Sequence, residues 1–105
     1  MMNKSALLNA IKTSVHTRYP KAKLYLYGSR SRGDDQSDSD WDIMIVLKEK
    51  ISERDKLPLY DELYELSLQS GEIISVIIQT EDEWQHPLMQ VSPFYQNVTL
   101  EGVLI

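Results

Sequence analysis

Residues 40–48 begin with alternating acidic and apolar side chains and continue as an unbroken apolar run from Ile43 to Leu47. Side chains two apart on a strand share a face, so the alternation places Asp40 and Asp42 on one face and Trp41 on the other. A run that is apolar at every position is typical of a strand buried on both faces. The segment therefore predicts a central strand of a sheet with two carboxylates at its beginning.

Three apolar segments bounded by turn residues predict the strands of this sheet, namely 23–27, 40–48 and 73–78. The third segment is apolar apart from Ser75, so we expect it to be central, buried on both faces and adjacent to the strand at 40–48. A carboxylate at the position of Ser75 would then reach a metal ion held by Asp40 and Asp42, because neighbouring strands lie ~4.8 Å apart.

Helical spacing, capping boxes and prolines predict the helices. They are expected over 4–18, from the capping box at 52–55 to Gly71, from the capping box at 80–83 to Pro87, and from Pro93 to Gly102. The element order predicts an α+β fold in one domain, 1–105, with a small mixed sheet and helices packed mainly on one face. We expect the other face to be partly open.

Composition excludes several classes of protein. A net charge of −5 disfavours an extended nucleic-acid surface, whereas a nucleotide bound through a metal ion remains compatible. The absence of cysteine excludes disulfides and thiolate zinc sites. The longest apolar run, Ile43 to Leu47, is too short to span a membrane, and the N-terminus shows no signal peptide. We therefore expect a cytoplasmic protein.

The turn between the first two strands carries residues suited to phosphate and metal binding. Gly28 allows the backbone to approach a ligand closely, and Ser29 offers a hydroxyl and a backbone N–H at the start of a helical turn. Asp40 and Asp42 would repel each other unless a cation lay between them. Carboxylates suit Mg²⁺, which takes its remaining ligands from water and substrate phosphates.

A phosphate-binding P-loop is one alternative for this segment. Gly28 and Gly33 match its glycine spacing, but Asp34 and Asp35 stand where Lys and Ser or Thr are required. Two negative charges at these positions would repel the phosphates, which excludes the P-loop.

A calcium-binding EF-hand loop is a second alternative. Asp38, Asp40, Asp42 and Glu49 fit its first, third, fifth and twelfth positions. Ile43, however, occupies the position at which the sharp turn needs glycine, and it lies in a predicted strand. The EF-hand therefore fits less well than a strand that carries two carboxylates.

Gly28-Ser29, followed after ten residues by Asp40-x-Asp42, resembles the nucleotidyltransferase superfamily that includes DNA polymerase beta. The sequence is most similar to the minimal nucleotidyltransferases, the small partners of HEPN domains in bacterial and archaeal toxin–antitoxin pairs. The order of helices and strands resembles that of the family over nearly the whole chain. The resemblance implies a polymerase beta-like nucleotidyltransferase fold.

The resemblance also implies roles for individual residues. Gly28 and Ser29 would hold the β- and γ-phosphates of a nucleoside triphosphate, and Asp40 and Asp42 would bind one or two Mg²⁺ ions. Three further residues would assist, with Arg30 and Arg32 near the phosphates and Ser39 orienting the acidic strand. The implied reaction is Mg²⁺-dependent transfer of a nucleoside monophosphate, AMP from ATP, to a hydroxyl on a partner such as a HEPN toxin.

Ser75 departs from the pattern of the family, which usually places a third carboxylate at this position. Serine is a poor metal ligand and cannot replace that acid as a base. Glu72 is an odd number of residues away and is expected to face the opposite side. An alternative is therefore a catalytically weak or inactive nucleotidyltransferase-fold module that neutralises its partner by contact, as an antitoxin-like subunit.

Overall fold

The computed structural model describes residues 3–33 and 39–105. These residues form six helices and four strands: α1 Lys4–Arg18, β1 Lys23–Tyr27, α2 Ser29–Arg32, β2 Trp41–Leu47, α3 Glu53–Ser70, β3 Ile74–Thr80, α4 Glu81–Trp84, α5 Pro87–Gln90, α6 Pro93–Glu101 and β4 Val103–Leu104. Asp34, Asp35 and Asp38, which enter the P-loop and EF-hand alternatives, lie outside the described residues. None of the helices in the described ranges is long and apolar enough to cross a membrane.

The four strands form one mixed sheet in the order β3-β2-β1-β4. Strand β2 pairs antiparallel with β1 and parallel with β3, and β4 pairs antiparallel with β1. The predicted central position of the acidic strand is confirmed, because β2 has a neighbour on each side and is buried along most of its length. The predicted mixed sheet in an α+β fold is also confirmed.

Strand β3 differs from the sequence-based prediction. It pairs only with β2 among the described residues, so it lies at an edge of the sheet and is not central. Ile78 and Thr80 are its only buried residues, and Ile73, expected within the strand, precedes it and is 61% exposed. The prediction of burial on both faces is therefore wrong. An apolar run shows that a strand has apolar neighbours, but it does not show how many strands pair with it.

The sheet separates two apolar clusters, and α1 and α3 cover the face with the larger one. Alternating residues of β1 and β2 enter this cluster, among them Leu24, Ile43 and Ile45, which are fully buried. On the other face, Met44 and Val46 pack beneath Val98 of α6. The prediction that helices pack mainly on one face is confirmed, with α6 covering part of the second face.

Helix ends follow the polar residues expected from the sequence. Ser52 accepts a hydrogen bond from the Asp55 backbone N–H at 3.2 Å, Thr80 and Glu83 form a capping box, and Gly71 ends α3 at a φ of 73°. The helix after Thr80 ends at Trp84, before Pro87. Proline is favoured at the first position of a helix, so Pro87 begins α5 and does not end α4.

Lys56 is a buried cation that ties α3 to α4. Its side chain is 2% exposed, and its Nζ donates to Glu53 Oε1 at 2.6 Å and Glu83 Oε1 at 2.8 Å. Burial alone would lower the pKa of Lys56, but its hydrogen bonds with Glu53 and Glu83 hold that pKa above its ordinary value. The same Glu83 oxygen accepts from the Thr80 N–H, so Lys56 and the capping box share one carboxylate.

We expect Lys56→Ala to lower the free energy of unfolding by about 2 kcal/mol, because the change removes a buried packed stem and two charge-assisted hydrogen bonds. Urea denaturation measures the loss. Lys50→Ala is the control, since Lys50 is 85% exposed and pairs with Asp82 at 3.6 Å. Its effect should stay within about 0.5 kcal/mol, and equal effects of the two substitutions would contradict a structural role for Lys56.

Candidate active site

The pairing register of β1 and β2 brings the Gly28-Ser29 turn to the acidic end of β2. Tyr27 lies opposite Asp42, so Gly28 follows directly beside that carboxylate. Gly28 has φ 76° and ψ −157°, a backbone conformation that is essentially restricted to glycine. A Cβ atom at this position would overlap Asp42 Oδ2. Glycine is therefore required here both by the backbone dihedrals and by the neighbouring carboxylate.

A short helix begins immediately after Gly28. The Gly28 carbonyl accepts hydrogen bonds from the Ser31 and Arg32 backbone N–H groups, each at 3.1 Å, and from Ser31 Oγ at 2.9 Å. These bonds open α2 and leave Ser29 at its N-terminal end. The helical turn predicted to start at Ser29 is confirmed, and it ends at Gly33, which adopts the left-handed conformation with φ 81°.

Asp40, Asp42 and Ser75 meet where β2 and β3 begin. Ser75 lies beside Asp42 in the parallel register, and its Oγ donates to Asp40 Oδ2 at 3.5 Å. The structure therefore places Ser75 where a third carboxylate would face the first two. No group of three or more Asp, Glu, His or Cys side chains in the described ranges is arranged to hold a metal ion.

The Asp42 carboxyl has a pKa above its ordinary value. Burial is the largest cause, and the negative charges of Asp40 and Glu101 act in the same direction, whereas Arg32 opposes them. A cation beside Asp42 would offset the effects of burial and of the neighbouring negative charges. The pair of aspartates thus has the donor chemistry and the charge that suit Mg²⁺ together with ligands from a bound phosphate.

Arg30 stabilises the start of β2. Its guanidinium lies 4.2 Å from the Trp41 ring centroid, donates from Nη2 to the Ser39 carbonyl at 2.8 Å and lies 3.6 Å from Glu72 Oε2. Its side chain is only 4% exposed. These contacts orient Ser39 and the beginning of β2, and they direct the Arg30 side chain away from the face that carries Asp42.

Glu101, the last residue of α6, reaches the same turn from the far end of the chain. Its Oε2 accepts from the Gly28 N–H at 3.3 Å, and its Oε1 accepts from Arg32 Nη1 at 3.0 Å. In the sequence, Glu101 falls at the end of the helix predicted from Pro93 to Gly102. No local periodicity relates it to Gly28, because the pairing of β4 with β1 brings the two segments together.

Aromatic side chains border the site on the α6 side. The Tyr27 ring lies across from Asp42 in the register and makes an edge contact with Phe94, with centroids 5.8 Å apart. Burial, and secondarily the charge of Asp42, raise the pKa of Tyr27 to about 12. The phenol therefore stays neutral at physiological pH.

A groove between α1 and α3 lies elsewhere. It encloses about 570 Å³ and is lined mainly by small and polar side chains such as Ala10 and Thr13. Both helices cover the face of the sheet opposite Asp42, so this groove is separate from the candidate site.

We expect Gly28→Ala to lower the free energy of unfolding by at least about 3 kcal/mol, because it combines strained dihedrals with a clash against Asp42. Gly33→Ala is the matched control, since Gly33 has a similar φ, and beyond its chain neighbours no atom of the described residues lies within 4 Å of an added Cβ. That control should cost only about 1–2 kcal/mol. Urea denaturation compares the variants, and equal losses would show that Asp42 does not crowd Gly28.

Asp42→Asn should raise the midpoint of thermal unfolding by about 2–4 °C without metal at neutral pH. The substitution removes a charge that is disfavoured by burial and by Asp40, while its size is preserved. Asp61→Asn, on the exposed surface of α3, is the control and should change the midpoint little. A clear loss of stability in Asp42→Asn would mean that this carboxylate holds the fold together.

Comparisons with known proteins agree with this geometry. The family model described as polymerase beta, nucleotidyltransferase matches residues 9–99. No match was found among curated proteins. The fold resembles a chain of a toxin–antitoxin crystal structure with AMP-PNP, at 21% identity and a TM-score of 0.61, covering 91% of this chain and 69% of that one. It also resembles a chain of the toxin–antitoxin MntA-HepT, at 17% identity and a TM-score of 0.58, covering 96% and 70%. The match of the family model over most of the chain shows that this protein belongs to the polymerase beta nucleotidyltransferase family.

Proposed function

We propose that this protein binds a nucleoside triphosphate with Mg²⁺ and transfers a nucleoside monophosphate, AMP from ATP, to a hydroxyl of a HEPN-type partner protein. The observation that carries the proposal is the contact between Gly28 and Asp42. It brings a turn suited to phosphate and a carboxylate suited to metal to one point. Neither feature alone would indicate a nucleotide site.

The metal fits the side chains that the structure provides. Asp40 and Asp42 would hold Mg²⁺, and the bound ion would polarise the α-phosphate and neutralise the departing pyrophosphate. Gly28 allows close approach of the phosphates, and the Ser29 hydroxyl and N–H would donate to them. Arg32 is exposed at the same turn and would add positive charge, whereas Arg30 would position the strand start through Ser39 and Trp41.

In the reaction, the acceptor hydroxyl oxygen would form a bond to the α-phosphorus while the bond from that phosphorus to the bridging oxygen of pyrophosphate breaks. The products would be the nucleotidylated acceptor and pyrophosphate. The hydroxyl proton would pass to water, since Ser75 cannot act as the base that a third carboxylate would supply. Transfer at this site should therefore be slow.

A protein acceptor is supported by the structural neighbours. One is a toxin–antitoxin structure with AMP-PNP and another is the pair MntA-HepT. A HEPN-type toxin is thus the proposed partner.

The second candidate is a binding module that neutralises the same partner by contact alone. Ser75 favours it, because a two-carboxylate site lacks both the third metal ligand and the base. The two candidates differ in whether pyrophosphate is released and whether the partner becomes covalently labelled.

The first test is calorimetric titration of ATP in Mg²⁺ and in EDTA, followed by incubation of α-labelled ATP with a HEPN-type partner. We expect binding only with Mg²⁺, loss of this binding in Asp40→Asn/Asp42→Asn, and label on the partner. Equal binding in EDTA would remove the proposed site. Neutralisation of the partner without label or pyrophosphate release would establish the binding module.

Ser75→Asp should tighten Mg²⁺-dependent ATP binding and raise the rate of labelling by about tenfold or more, because it adds the third carboxylate beside Asp40 and Asp42. Ser75→Asn is the matched control, with similar size and no charge, and should give no gain. Without metal, Ser75→Asp should unfold at a lower temperature than wild type. Unchanged Mg²⁺ affinity would place Ser75 outside the metal site.

A further inference from the structure

We propose that Glu101 is a positioning residue that holds Arg32 and the Gly28 turn in the arrangement that receives the triphosphate. This inference rests on the proposed function and adds a residue to its site. Glu101 uses both carboxylate oxygens, one on the Gly28 N–H at 3.3 Å and one on Arg32 Nη1 at 3.0 Å. One side chain thus contacts both the backbone of the turn and the guanidinium of Arg32.

The backbone that carries Glu101 is fixed on both sides. Before it, Val98 anchors α6 in the smaller apolar cluster and is 3% exposed. After it, a Cβ atom at Gly102 would overlap the Val98 carbonyl oxygen, so the helix end packs too closely for any other residue. The chain then pairs Val103 with Leu26 in β1. Glu101 is therefore presented to the turn by a rigid support.

The charge of Glu101 is unfavourable for its surroundings unless Arg32 balances it. It raises the pKa of Asp42, and it would repel an incoming triphosphate. It is not arranged with Asp40 and Asp42 as a third metal ligand in the described part of the chain. Glu101 instead forms an ion pair of defined geometry with Arg32, and through this pair it would influence ligand binding.

An arginine held in place before the ligand arrives loses less conformational entropy on binding. The Arg32 side chain is 46% exposed, and an exposed arginine samples many rotamers unless its contacts hold it. Glu101 limits this sampling and keeps the guanidinium beside Gly28. Arg32 would therefore meet the phosphates in an arrangement that already exists in the free protein.

The test is a double-mutant cycle on Mg²⁺-ATP affinity with wild type, Glu101→Ala, Arg32→Ala and the double variant. We expect Glu101→Ala to weaken binding by about fivefold in wild type but by less than about twofold when Arg32 is already absent. Glu101→Gln should restore only part of the affinity, since its amide has one acceptor oxygen and can keep only one of the two hydrogen bonds. Glu62→Ala, which breaks the Arg18–Glu62 pair of 2.8 Å on the opposite face, should leave affinity unchanged.

Three results would overturn the inference. Tighter binding by Glu101→Ala would show that Glu101 competes with phosphate. An equal loss with and without Arg32 would show that it acts independently of that residue. If Glu101→Ala does not fold, unchanged affinity in Arg32→Ala would contradict the positioning role. Absence of Mg²⁺-ATP binding by folded wild type would instead overturn the proposed function, and this inference with it.

Discussion

The antiparallel register between β1 and β2 is the constraint on which the site depends. It places Tyr27 opposite Asp42, so that the next residue must turn away beside a carboxylate. Only a residue without a side chain fits there, and the required φ of 76° reinforces that restriction. A shift of the register by one residue would move Asp42 to the face covered by α1 and α3. The Gly28-Ser29 turn and the proposed metal ligands are therefore brought together by one pairing of strands.

Arg30 and Glu101 then stabilise the turn and the start of β2. Arg30 stacks on Trp41 and binds the Ser39 carbonyl, which fixes the start of β2 on the side facing the larger core. Glu101 contacts Gly28 and Arg32 from the opposite end of the chain. The aspartates lie between these two supports, and burial already disfavours the charge of Asp42. A bound cation would offset this unfavourable charge, which the fold tolerates when no cation is bound.

The sequence predicts those parts of the structure that depend on local periodicity. The acidic strand, the Gly-Ser turn, the capping box at 80–83 and the adjacency of β2 and β3 follow from residue spacing and are confirmed. The position of β3 at an edge does not follow, because Ile77 and Ile78 would look the same with one neighbour or two. The two-residue strand β4 is too short to give a periodic signal. Glu101 could not be connected to the turn for the same reason, since only that pairing brings it near Gly28.

We propose that Asp40 and Asp42 hold a divalent ion together with a triphosphate at the Gly28-Ser29 turn. Paramagnetic broadening of backbone amide NMR signals by substoichiometric Mn²⁺, with a non-hydrolysable ATP analogue, tests it most directly. We expect the broadening to be centred on Asp40, Asp42 and Ser75 and to extend to Gly28 and Ser29. It should disappear in Asp40→Asn/Asp42→Asn. Broadening centred elsewhere, such as on the groove between α1 and α3, or unchanged in the double variant, would contradict it.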